Sequence, residues 1–360
     1  MSNTSQNMNS ISSSAEDKRS HILVIRLSAM GDVAMTVPVL RVLTATYPKL
    51  KITVLTRGFF EPMFKGIPEV SVYKADIKGI HSGVVGLCRL AKDLREIGID
   101  KVADLHDVLR SNVLKSVFYM FGIPVKQIDK GRNEKKALTR ENNKVFQQLK
   151  PTIQRYADVF EALGYPLDLS SHQFSKKEKL SEKIRDLVGT KSEKWLGIAP
   201  FAQHDSKAYP VDLMEEVLRE LSENPKIKVL LFGGGEKEKE QLETWEKKFK
   251  DTLSIAGKLS LAEELALIAN LDAMLSMDSG NGHMAAMFGS PVITLWGVTH
   301  PYAGFAPFNQ PESHSLLPDL NQYPKIPTSV YGNKYPEAYR NAIRSIPPES
   351  VLKKIEEVLF

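Results

Sequence analysis

Residues 21–57 read HILVIRLSAMGDVAMTVPVLRVLTATYPKLKITVLTR, and this stretch decides the fold. Residues 21–27 are a short, almost unbroken apolar run, the pattern of a strand covered on both faces. A turn follows at residues 28–32. Residues 33–47 then read as an apolar helix that stops at Pro48, because proline cannot continue it. Residues 51–57 form a second strand of the same kind. Strand, helix and strand at this spacing make a βαβ unit, and such units build a parallel sheet.

The alternation continues outward from there. Strands are expected near 70–73 and 101–105, with helices near 84–97 and 109–121. A polar stretch at 168–194, holding Lys176, Lys177, Glu178, Lys179 and several serines, separates this series from a second one. In the second series strands are expected near 195–199, 229–232, 253–256, 273–277 and 292–296. At the end, Pro347 and Pro348 precede a helix over 349–359 whose Val351, Leu352, Ile355, Val358 and Leu359 recur at helical spacing. A chain of 360 residues is too long for one ordinary core and suits two. Two α/β domains meeting at a cleft follow, with ligands at the carboxyl ends of the strands.

Composition removes several alternatives. With 42% apolar and 25% charged residues, the chain is neither a disordered nor a fibrous sequence. Its single cysteine, Cys88, excludes an internal disulfide and, lying in an apolar stretch, is expected to be buried filler. The eight histidines show no H-x-x-x-H spacing and there is no C-x-x-C, so no dedicated metal site is expected. No run of about 18 apolar residues occurs, and the Ser- and Asn-rich start lacks the core of a signal peptide, which leads to a cytoplasmic expectation. The net charge of +5 is uneven: 25 Lys and Arg stand against 16 Asp and Glu up to Glu161, and 23 against 27 beyond it. A basic first half attracts phosphorylated lipid or nucleic acid, or is merely a solvated face with a Lys-rich loop over 126–150.

Three turns carry polar groups suited to chemistry. Ser28-Ala29-Met30-Gly31-Asp32 follows a strand and opens a helix, so its amides can face an anion while Asp32 sits near the cleft. The plain alternative for Asp32 is a helix N-cap. Asp278-Ser279-Gly280-Asn281-Gly282-His283 lies between a strand and a helix of small residues. Its glycines admit close approach to the backbone, which suits a diphosphate; the alternative is a capped turn with a packed His283. The third turn, residues 201–210, offers Ser206 and Lys207 to a leaving phosphate, or a solvated lysine. Neither G-x-G-x-x-G nor G-x-x-x-x-G-K-[ST] is present, so dehydrogenase and P-loop readings lose their weight.

Taken together, IRLSAMGDVAMTVPVL from Ile25 and MDSGNGHMAAMFGSPVITLWG from Met277 resemble glycosyltransferase family nine, the heptosyltransferases. The resemblance extends in order through DLH at Asp104, RS at Arg110, APF at Ala199, FGGG at Phe232, AGKLSL at Ala256 and THP at Thr299, and leaves out the leader and the loop near 310–335. It implies a GT-B architecture, with two Rossmann-like domains facing a central cleft. The expected division is a leader over 1–20, an acceptor-side domain over 21–175, a nucleotide-sugar domain over 190–335, and a segment over 336–360 returning to the first domain.

The resemblance further implies an inverting transfer of a heptose or related sugar from an ADP-sugar to a lipopolysaccharide core. Asp32 matches the general base and Lys207 the phosphate-neutralising lysine. Ser206, Asp278, Ser279, Gly280, Asn281, Gly282 and His283 fall on the donor side, and Ser28, Met30, Gly31, His106 and Arg110 on the acceptor side. No metal and no other cofactor is implied. The partners would be the ADP-sugar and an anionic glycolipid, with peripheral contact at the inner membrane and no nucleic acid. Ala202, Gln203 and His204 depart from the Thr or Ser expected before the lysine, and Asn281-Gly282 from a more usual pair. A non-catalytic binder of a sugar nucleotide or glycolipid stands beside this reading, as does a sugar-nucleotide epimerase using His106 or His283.

Overall fold

The computed structural model describes residues 19–360, so the leader expected over 1–20 falls almost wholly outside the described residues. Strands β1 (His21–Ile25), β2 (Lys51–Thr56), β3 (Val70–Lys74), β4 (Lys101–Asp104) and β5 (Val125–Gln127) form one sheet in the order β3-β2-β1-β4-β5. Strands β6 (Lys194–Ala199), β7 (Ile227–Leu231), β8 (Thr252–Ser254), β9 (Ala273–Met277), β10 (Val292–Leu295) and β11 (Ser315–Leu316) form a second, in the order β11-β10-β9-β6-β7-β8. All pairings are parallel. In each sheet the order reverses at the first strand, β1 or β6. Ligand crevices in doubly wound sheets open at such points, between the carboxyl ends of β1 and β4 and of β6 and β9.

Strand β1 shows why its sequence is apolar after His21. Ile22 and Val24 join the core under helices Thr36–Thr46 and Thr152–Ala162, while Leu23 and Ile25 join the opposite core under helices Gly83–Glu96 and Leu109–Met120. The first of these cores continues into the second domain through Leu265, Ile268 and Met284. The domains touch where helix Met30–Ala34 meets helix Gly280–Ala286. A Cβ on Gly31 would stand 2.7 Å from Cδ2 of His283 and 3.3 Å from Cα of Gly280. Any side chain there would push the two turns apart.

Several expectations are corrected. The closing helix, Pro348–Leu359, packs on the second domain, not the first: Val351, Ile355 and Leu359 share a core with Met214, Val217, Leu218 and Leu221 of helix Val211–Ser222. Its apolar stripe was legible, but a stripe does not name its partner. Cys88 is exposed, because Leu87, Leu90, Ala91 and Leu94 take the buried face of its helix. The 126–150 segment is no plain loop; it supplies most of β5 and a helix, Arg132–Thr139, whose Lys135 is buried. The polar stretch at 168–194 contains helix Glu182–Val188, capped by the Ser181 hydroxyl, which accepts from the Ile184 amide at 3.3 Å.

Candidate active site

Asp32 occupies the third position of helix Met30–Ala34, where its Oδ2 accepts from the Ala29 amide at 3.3 Å. The helix-start role expected from sequence is therefore present, but it is not the whole role. The same oxygen forms an ion pair with Arg26, which lies at the end of the buried β1 run and also donates to the Leu105 carbonyl at 2.6 Å. Both contacts fall on Oδ2, and Oδ1 has no partner among the described residues. Arg26 stands inside the IRLSAMGDVAMTVPVL motif but is the clearest site residue that the sequence reading does not single out. A lone arginine in a strand covered on both faces needs a carboxylate, and that need is its signal.

Asp32 stands where two cavities meet. The first, about 240 Å³, is lined by Arg26, Ser28, His106, Lys130, Lys135 and Arg155 among others. Its cations come from the residue after β1, from the segment after β5 and from helix Thr152–Ala162, all beside the β1/β4 switch point. Burial pushes the Lys135 ammonium down to about 8, with Arg155 adding to the shift, and its Nζ sits 4.1 Å from the centre of the Phe305 ring. Burial and the Arg26 charge likewise lower Lys130, whose Nζ donates to the Asp107 carbonyl at 3.1 Å. The cavity holds concentrated positive charge with only Asp32 as a lining carboxylate, which suits an anionic ligand.

His106 completes this wall. Its Nδ1 lies 3.5 Å from the Leu27 amide and its Nε2 3.5 Å from the Ser28 hydroxyl. Its backbone amide donates to the buried Asp104 carboxylate at 2.9 Å. Burial, then Arg26, pushes its pKa down to about 3, so the ring is neutral at ordinary pH. His172 and His300 are lowered to about 4 for the same first reason. Below about pH 6.5 the unfolded chain takes up protons that these rings refuse in the fold, so stability rises with pH from about 4 to 6.5 and is lost on acidification. Urea midpoints across that window are expected to fall less steeply with acid in His106→Gln than in the parent. Parallel slopes would remove His106 from this linkage.

The second cavity, about 430 Å³, opens on the other side of Asp32 and is lined by Gly31, His204, Lys207, Asp278, Ser279 and His283 among others. Lys207 follows β6 and Asp278 follows β9, and the adjacency of these strands brings the two together. Lys207 Nζ donates to the Asp278 carbonyl at 2.6 Å and to its Oδ2 at 3.1 Å, and the Thr299 hydroxyl donates to the same Oδ2 at 2.9 Å. Ser279 Oγ and His283 Nδ1 are buried polar atoms with no partner among the described residues. Buried polar groups are normally paired, so such atoms at a cavity wall mark where a ligand can bond. Burial lowers His283, which is therefore neutral.

The structure sorts the residues expected from sequence. Asp32, Ser28, Gly31, His106, Lys207, Asp278, Ser279, Gly280 and His283 line one cavity or the other. Ser206 does not: its buried hydroxyl donates to the Gly332 carbonyl at 2.6 Å and fixes the loop beside Lys207. Gly282 faces its own sheet, where a Cβ would meet Ser276 Oγ at 2.5 Å, and Asn281 lines neither cavity. Met30 abuts Gly280 across the domain contact. Arg110 is exposed and outside both cavities. Phe305 and Tyr331, which line both, come from beyond the matched motifs and carry no signal of their own.

Residues 87–334 match the family model of glycosyltransferase family 9 (heptosyltransferase). The chain belongs to that family. This glycosyltransferase is 24% identical to lipopolysaccharide heptosyltransferase 1 of Campylobacter coli over 94% of its own length and 98% of the relative's. Its fold matches a family 9 glycosyl transferase from Veillonella parvula at a TM-score of 0.71 and 20% identity, covering 94% of this chain and 97% of the other. The E. coli heptosyltransferase WaaC, solved with ADP-2-deoxy-2-fluoro heptose, matches at 0.62 and 20% identity over 94% and 99%. The two-domain GT-B expectation for the transferase is thereby met. Among its described residues no helix is long and apolar enough to cross a membrane, and no group of three His, Cys, Asp or Glu side chains is placed to hold a metal ion.

Proposed function

We propose that the protein transfers a heptose or related sugar from an ADP-sugar to the anionic sugar core of a lipopolysaccharide-type glycolipid, by one displacement and without a metal. The observation that carries this is the position of Asp32 at the junction of a cation-rich cavity and a cavity holding Lys207 and the Asp278–His283 turn. The relatives named for heptose transfer, and the neighbour solved with an ADP-heptose analogue, support the substrate class. The acceptor hydroxyl enters by the cationic side and gives its proton to Oδ1 of Asp32. Its oxygen bonds the anomeric carbon as the bond to the diphosphate breaks, and the departing ADP keeps that electron pair. Attack opposite the leaving group inverts the anomeric centre. Lys207 and the amides opening helix Gly280–Ala286 meet the charge that grows on the diphosphate.

Incubation of the pure protein with a panel of nucleotide sugars tests the donor, since slow hydrolysis needs no acceptor. Hydrolysis confined to ADP-heptose, unaffected by EDTA, is expected. A preference for uridine-linked donors, or a strict magnesium requirement, would count against the scheme.

The acceptor side is tested by two neighbouring lysines. Lys135 is buried in the cationic cavity, whereas Lys136 on the next position of the same helix is exposed. Lys135→Gln is expected to raise the KM for the glycolipid roughly tenfold, the scale of one charge-assisted contact. Lys136→Gln is expected to leave it unchanged. Equal KM values for both variants would remove the acceptor's negative charge from this cavity.

A further inference from the structure

Helices Gly83–Glu96 and Leu109–Met120 lie side by side on one face of the first sheet and share its core. They follow β3 and β4, so their first turns stand together at the carboxyl edge, where Val108 lines the cationic cavity. Those first turns present apolar side chains to solvent: Val84 is 63% exposed, Val85 77%, Leu109 82%, and Ile80 in the preceding loop 63%. The loop is pinned rather than loose. Asp76 accepts from the Gly79 and Ile80 amides at 2.8 and 3.3 Å, and the Asp76 amide donates to His81 Nδ1 at 3.0 Å. The backbone of Ile80 and His81 lies hard against Gly86, where a Cβ would meet it within 2.9 Å. Ile80, Val84 and Val85 are thus held outward as a fixed ridge.

Cations predominate around this ridge. Lys78, Arg89 and Arg110 are exposed and form no ion pair among the described residues. The nearby carboxylates are engaged elsewhere: Asp76 with its own loop, Asp93 with the Tyr73 hydroxyl, and Asp107 with Arg132 at 2.5 Å. Aliphatic side chains that a monomer gains nothing by exposing, ringed by unpaired cations, match the two layers of an anionic lipid surface. We infer that the rim formed by Ile80, Val84, Val85 and Leu109 with Lys78, Arg89 and Arg110 docks the protein onto an anionic bilayer. The aliphatic side chains enter the headgroup boundary and the cations meet lipid phosphates. The inference rests on the glycolipid reading only for its purpose: docking there sets the mouth of the acceptor cavity against the membrane that would carry the acceptor. It moves the docking surface away from the 126–150 segment, whose Lys130 and Lys135 line the cationic cavity.

Co-sedimentation with vesicles of phosphatidylglycerol and phosphatidylcholine tests it on the full chain. Binding that weakens with salt is expected, with little binding to pure phosphatidylcholine. The combined Ile80→Ser, Val84→Ser, Val85→Ser and Leu109→Ser variant is expected to lose at least about tenfold in partitioning, and Lys78→Gln with Arg89→Gln to lose the preference for anionic vesicles. All six side chains are exposed, so an unchanged melting temperature is expected and verifies folding. Undiminished vesicle binding by both variants overturns the inference. So does a parent that ignores vesicles but sediments as a dimer which the serine variant dissociates, since a second copy would then cover the rim. Transfer to a delipidated, soluble core acceptor separates the two readings. The serine variant should retain it, while its absence in the parent, with vesicle binding intact, would sink the acceptor assignment and leave the docking surface standing.

Discussion

Asp32→Asn is expected to lower turnover by at least roughly a hundredfold while donor affinity changes little, because general base catalysis is worth about 10²- to 10⁴-fold and the amide keeps the shape. The geometry makes this a test of the base and not of the fold. Asp32 Oδ2 is held by Arg26 and the Ala29 amide, and an amide oxygen can keep both bonds. What asparagine cannot do is take a proton on the other atom, which has no partner among the described residues. Arg26 would lose its ion pair, so some destabilisation is expected, and the melting temperature should be read beside the rate. Full activity in the variant would end the base assignment. A parallel fall in donor affinity would move Asp32 to the donor side.

Lys207→Ala is expected to weaken ADP-sugar binding and turnover together, by about two orders of magnitude or more in kcat/KM. Removing one charge-stabilising donor at a transition state typically costs about 10²- to 10³-fold. Here a second effect adds to it. Lys207 and Asp278 are 13% and 10% exposed, so the alanine variant leaves a shielded carboxylate, held among the described residues by the Thr299 hydroxyl alone, facing the incoming diphosphate. Donor binding should therefore recover in part when Asp278→Asn is added to Lys207→Ala. A double variant no better than the single one would show that Asp278 does not face the diphosphate, and unchanged kinetics in Lys207→Ala would return that lysine to a structural role.

Much of the machinery is legible in the chain itself. Asp32, Lys207 and the Asp278–His283 turn each follow a strand, and local pattern alone places them at carboxyl ends. Their roles within those turns are less legible. Ser206 and Lys207 are neighbours in a polar loop, yet one is spent on the Gly332 carbonyl and the other faces the cavity. Gly280 and Gly282 look equivalent in the sequence, but two positions along a helix turn a residue away from the cleft and onto Ser276.

Hydrophobic periodicity by itself determined nine of the eleven described strands, the parallel sheets, the two series and the burial of the last helix, since period and burial are properties of contiguous residues; the short β5 and β11 are too brief to show a period. Tertiary structure decided which partner each face meets. The stripe on Pro348–Leu359 fits helix Val211–Ser222 rather than the first domain. Lys130, Lys135, Arg155 and Arg26 form one cationic wall although they lie as much as 129 positions apart. Strand order brings them together, and strand order is a balance among packings of distant segments that no local window contains.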